Sequence, residues 1–143
     1  MSYQRLMDEH DRIDAALATL SVLAEAATPD LPAVVIGLSD LAGELERHLA
    51  HEDSFIYPRM MSGAPGGASD VAQAFVDDFA RLREDWGLYL REWTADNIAV
   101  DWAGFGHETR SMMARLADRV KAENQLLYTA ALQASVIPLR DAA

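Results

Sequence analysis

Apolar residues recur every three or four positions over four long stretches of the chain, the period of one buried face of an α-helix. From about Tyr3 to Ala27 the stripe is Leu6, Ile13, Leu17 and Leu20, and His10 falls on it. The run Ala27-Thr28-Pro29-Asp30 interrupts it, and Asp30 followed by Pro32 has the form of a fresh helix start. The second helix carries Val34, Leu38, Leu41 and Leu45 on one face, which His48 and Glu52 continue. Pro58 is expected to end or kink it. Residues 62–69 are the stretch richest in Gly, Pro and Ser and predict the central loop.

A third helix is predicted from near Asp70 to about Thr94, with Asp70 and Gln73 placed as in a capping box. Its inward stripe is Phe75, Phe79, Leu82, Trp86, Tyr89 and Trp93, aromatic at every position but one. A fourth helix is predicted from about Asp101 to Ser135, with Pro138 beyond its end. Nowhere do apolar and polar residues alternate with the period of a strand. The expectation is an all-α, up-down-up-down four-helix bundle, one domain over residues 1–143 built of helical hairpins at about 3–62 and 70–135.

The two hairpins resemble each other. Asp8–Ile13 aligns with Asp77–Leu82, and Glu46–Tyr57 aligns with Ala117–Tyr128, pairing Glu52 with Glu123 and Tyr57 with Tyr128. The same shift pairs Asp30 with Asp101, both candidate helix starts. Rise per residue then fixes heights. His10 lies 18 residues before Thr28 and His48 lies 18 after Asp30, so each sits about 27 Å from the turn and they are level. The same reckoning puts Phe79 and Arg119 in that layer, with Glu52 and Glu123 one turn away. His48 and Glu52, four apart, project from one helix face, a spacing used for metal ligands inside helical bundles.

Composition narrows the chemistry. Twelve Lys and Arg against 23 Asp and Glu give a net charge of −11, spread along the chain, which argues against a nucleic-acid partner. The absence of cysteine excludes disulfides, thiolate metal sites and cysteine nucleophiles. No apolar run approaches about 18 residues, so the expected protein is soluble, cytoplasmic and without a membrane partner. No Ser/His/Asp order, phosphate loop or dinucleotide fingerprint is present, and an enzyme is not expected.

The segment Asp8-Glu9-His10-Asp11-Arg12-Ile13, followed by His48-Leu49-Ala50-His51-Glu52-Asp53-Ser54-Phe55-Ile56-Tyr57-Pro58, resembles the hemerythrin-like (HHE cation-binding) domain family, over nearly the whole chain. The resemblance implies a bundle in which each hairpin supplies one His from its first helix and an H-x-x-x-E from its second. It further implies a non-haem di-iron centre with bridging carboxylates, and a role in oxygen binding, in sensing oxygen, nitric oxide or redox state, or in iron handling. On that pattern His10, His48 and Glu52 match the first half-site and Glu123 the carboxylate of the second. The second half-site departs from it: Phe79 and Arg119 stand where the family has His. Phenylalanine offers no ligand, and a guanidinium offers only donors.

A complete di-iron centre is therefore not expected, and two readings stay open. In one, a single ion, iron if the family is followed, is held by His10, His48, Glu52 and Glu123; such a donor set equally suits Mn(II) or Zn(II). The module would then be sensory or regulatory, with a small diatomic ligand or a protein partner. In the other, the domain is metal-free and mediates protein–protein interaction, with the Arg119 cation bridging Glu52 and Glu123. A unit charge about 4 Å from a divalent ion repels it by roughly 8 kcal/mol at an effective dielectric of about 20, so Arg119 weighs against tight metal binding. His51 is expected on the helix flank, and His107, about 120° round from Arg119, in solvent. Tyr57 and Tyr128 are expected at the bundle end with their hydroxyls wet. The aromatic stripe of Phe75, Phe79, Trp86, Tyr89 and Trp93 fills the core or lines a pocket.

Overall fold

The computed structural model describes residues 1–63 and 66–142; Ala64 and Pro65, within the predicted central loop, lie outside the described residues, as does Ala143. The elements are helices α1 (Tyr3–Glu25), α2 (Leu31–His51), α3 (Tyr57–Met61), α4 (Ala68–Glu92), α5 (Ala95–Val100), α6 (Trp102–Ala122) and α7 (Tyr128–Gln133). Two π-helical turns, Glu52–Ile56 and Glu123–Leu127, join α2 to α3 and α6 to α7 without a break. Among the described residues there is no strand, and the all-α bundle expected from the periodicity is what forms.

Polar side chains start the helices where the sequence placed them. Asp30 accepts a hydrogen bond from the Ala33 amide at 3.2 Å, and Asp101 accepts one from the Gly104 amide at 2.9 Å, each satisfying an otherwise orphaned N–H. Three local expectations fail. Helix α4 is entered through Gly67, in a positive-φ conformation with no side-chain cap, and Gln73 donates instead to Asp77. The helix does not end at Pro58, which lies in the first turn after the π-helical segment, where its missing N–H is harmless. The link between the third and fourth predicted helices is itself helical: Thr94 caps α5, whose Ile98 is fully buried.

Two apolar clusters fill the interior. The larger joins Ile13, Leu17, Leu20, Leu41 and Leu45 to Phe79, Leu82, Trp86, Tyr89, Trp93 and Leu116. The smaller holds Leu6, Ile56, Phe75, Leu127, Tyr128 and Ile137 at the other end. The aromatic stripe of α4 is thus core, with Phe79 6 % exposed and Trp86 9 %. Phe79 also edges a surface cleft of about 360 Å³ beside Tyr57, Val76 and Arg83. Between the clusters lies a layer of buried polar groups: Glu9, His10, His48, Glu52 and Glu123. No helix among the described residues is long and apolar enough to cross a membrane.

Candidate metal centre

Helices α1 and α2 carry His10 and His48 inward on their buried stripes, and the two π-helical turns begin on Glu52 and Glu123. All four side chains are buried, and one ligating atom from each lies within 4.8 Å of all the others. His10 Nε2 is 3.0 Å from His48 Nε2 and 2.9 Å from Glu123 Oε1. His48 Nε2 is 3.0 Å from Glu123 Oε1 and 3.2 Å from Glu52 Oε2. The four residues that the spacing singled out meet, drawn from both hairpins.

The outer nitrogens are held as well. His10 Nδ1 lies 2.6 Å from Asn124 Oδ1, and His48 Nδ1 lies 3.0 Å from Glu9 Oε1. Both partners are acceptors, so each Nδ1 carries a proton and donates it, which aims the Nε2 atoms at the centre. His51, with its side chain 40 % exposed, lies on the flank and brings Nδ1 to 2.5 Å from Glu9 Oε2, out of line for a hydrogen bond. Burial alone would raise the Glu9 carboxyl, but the hydrogen bond and charge of His48, with the charge of His51, outweigh it and lower the pKa. His107 is exposed.

Charge in the layer is unevenly shared. Burial opposes a charge on His48, yet hydrogen bonds to Glu123, Glu52 and Glu9 push its pKa up to about 12 without a metal. Burial and the neighbouring Glu123 carboxylate raise Glu52 to about 8. Glu123 lies well below the usual carboxylate range: burial would raise it, but hydrogen bonds with His10 and His48 prevail. Glu52 Oε1 is buried with no hydrogen-bond partner among the described residues, and an unsatisfied buried acceptor costs about 1–3 kcal/mol.

The second half-site is closed by Arg119. Its Nε donates to Glu123 Oε2 at 2.7 Å, one Nη donates to the Phe75 carbonyl at 3.0 Å, and the other to the Tyr57 hydroxyl at 2.7 Å. The guanidinium carbon lies 4.6 Å from the ring centres of both Phe75 and Phe79, within cation–π range. Arg119 therefore does not bridge the two glutamates as expected: it takes the outer oxygen of Glu123 and makes no bond to Glu52. Glu123 itself spans the layer, Oε1 toward the imidazoles and Oε2 toward the guanidinium.

The tyrosines also depart from expectation. Tyr128 is fully buried, with its hydroxyl among the four converging side chains, and Tyr57 is 6 % exposed with its hydroxyl on Arg119. Neither is wet at the bundle end. The reason is the π-helical turn. Five residues along an α-helix a side chain lies about 140° round from its starting point. Here the N–H groups of Tyr57 and Tyr128 reach five residues back, to Glu52 and Glu123, and the widened turn brings each tyrosine back over its glutamate. Glu9 and Asn124 escaped notice too, although each is the immediate neighbour of a site residue and adjacency to a histidine or glutamate already singled out was the available signal.

Two imidazoles and two carboxylates converging in a buried layer, with a spare carboxylate oxygen, fit a divalent ion of the iron, manganese or zinc type. Phe79 and Arg119, which occupy the other side, offer no ligand atom. A model of the hemerythrin HHE cation binding domain matches residues 1–131, and the chain belongs to that family. No curated protein and no solved structure matches it.

Proposed function

We propose that this chain is a hemerythrin-like module holding a single non-haem iron through His10, His48, Glu52 and Glu123, and serving in the cytoplasm as a sensor or regulator rather than an enzyme. The observation that carries the reading is the direction of the two imidazoles: Glu9 and Asn124 take their Nδ1 protons, leaving both Nε2 atoms to a common centre with two carboxylates. Bound iron would supply a reversible change of oxidation state and affinity for a small diatomic ligand such as oxygen or nitric oxide. The chain supplies orientation through Glu9 and Asn124, dryness through the clusters on either side, and a fixed positive charge through Arg119. That charge faces the outer oxygen of Glu123, so the inner oxygen stays free for the ion. Iron analysis of protein expressed with iron supplementation is expected to give one iron per chain, with visible absorption.

A second reading has its own observation. The Arg119–Glu123 pair at 2.7 Å, with side chains 10 % and 3 % exposed, already neutralises one carboxylate, which would suit a metal-free domain that binds a protein partner. Protein that is colourless and iron-free, with a melting temperature indifferent to chelator and added iron, would favour this reading over the first.

A further inference from the structure

The hydroxyl of Tyr128 has an unusual set of neighbours. It lies 3.0 Å from His10 Nε2, 3.2 Å from His48 Nε2, 3.0 Å from Glu52 Oε2 and 3.2 Å from Glu123 Oε1. It thus touches every one of the four side chains offered to an ion and stands inside their ring, not behind it. Its partner by the repeat, Tyr57, stands behind the ring and accepts from Arg119.

Proton counting shows what this arrangement lacks. His10 Nε2, His48 Nε2, Glu52 Oε2, Glu123 Oε1 and Tyr128 Oη make eight mutual contacts of 2.9–3.2 Å. A phenol brings one proton, an imidazole whose Nδ1 is already donating brings at most one more, and a carboxyl at most one. Eight close contacts cannot all be hydrogen bonds on so few protons. Lone pairs crowded round one point are instead what a cation gathers.

We infer that Tyr128 is itself a ligand of the iron site, its phenol oxygen adding a fifth donor to His10, His48, Glu52 and Glu123. This rests on the metal-binding reading above and deepens it. The phenol proton leaves to the buffer as the oxygen takes up the ion, and the added anionic oxygen favours the harder ferric state over the ferrous. The π-helical turn is what makes the donor set possible, because it returns Tyr128 to the face of Glu123. The site therefore has two imidazoles from the first hairpin and a Glu–Tyr pair from the second, with Glu52 between them.

The test adds ferric nitrilotriacetate to metal-free protein and records uptake, visible absorption and resonance Raman spectra. A tyrosinate ligand gives a broad visible charge-transfer band and phenolate ring vibrations enhanced within it. Tyr128→Phe is expected to abolish that band and to weaken iron affinity at least as much as losing a supporting partner does, about 10- to 100-fold, while Tyr57→Phe keeps the band. Wild-type protein that takes up iron without phenolate vibrations, or a Tyr128→Phe variant that keeps both band and affinity, overturns the tyrosine ligand and leaves the metal reading standing. Wild-type protein that takes up no iron overturns both. If Tyr128→Phe fails to fold, the Raman spectrum of the wild type and of Tyr57→Phe decides alone.

Discussion

The two hairpins share a frame and differ in what they hang on it. Asp30 and Asp101 cap α2 and α6 alike, and a π-helical turn follows each at Glu52 and Glu123, with a tyrosine five residues on. On that frame the first hairpin presents His10 and His48, the second Phe79 and Arg119. The neighbours follow suit. Asn124 of the second hairpin receives the Nδ1 proton of His10, whereas Asp53, its counterpart in the first, faces Phe79's side of the bundle and pairs with Arg83 at 3.2 Å instead. Tyr128 meets the histidines and Tyr57 meets the arginine. The same frame thus gathers a buried His/Glu cluster that could hold a metal ion on one side and the chain's own cation, Arg119, on the other.

Making the first hairpin a copy of the second gives the largest expected effect. His48→Arg removes a ligand and adds a charge, so iron affinity measured by equilibrium dialysis should fall more than about 100-fold, beyond the range seen for supporting residues. Next is Glu123→Ala, which strands the buried Arg119 guanidinium; denaturant unfolding of the metal-free protein should show a loss of about 3–5 kcal/mol. The opposite conversion, Phe79→His with Arg119→His, should raise iron content from one ion per chain toward two, read by metal analysis. Undiminished affinity in His48→Arg, or unchanged stoichiometry in the double variant, would break the comparison.

The smallest expected effect compares Asn124 with Asp53. Asn124→Ala frees the His10 ring and should weaken iron binding about tenfold with little change in stability. Asp53→Ala breaks an ion pair whose side chains are 49 % and 44 % exposed, and such pairs contribute about 0–1 kcal/mol, with no effect on iron expected. Titration of both variants side by side checks this.

Much of the architecture was readable because helical period and cap residues are local signals. The stripe through Leu6, His10, Ile13 and Leu17 needs no knowledge of the other helices, and equal distances from a turn are enough to set His10 level with His48. The tyrosines and Arg119 were misread for a different reason. A strict 3.6-residue period cannot carry a side chain five positions on to the same face, so Tyr128 looked peripheral until the widened turn was in view. Arg119 chose its partners by three-dimensional packing, between Phe75, Tyr57 and Glu123, and no spacing in the chain announces that choice. The capping box at Asp70 failed because Gly67 lets the backbone turn into α4 without help from a side chain.

The polar layer lying between two apolar clusters also works as a ruler. Sliding α1, α2 or α6 by a single turn, about 5.4 Å, would drive an imidazole or carboxylate of the layer into the apolar clusters on either side. Buried groups stranded in that way cost several kcal/mol each. The layer that gathers the donor atoms is therefore also what sets the vertical alignment of α1, α2 and α6, a register that needs no ion.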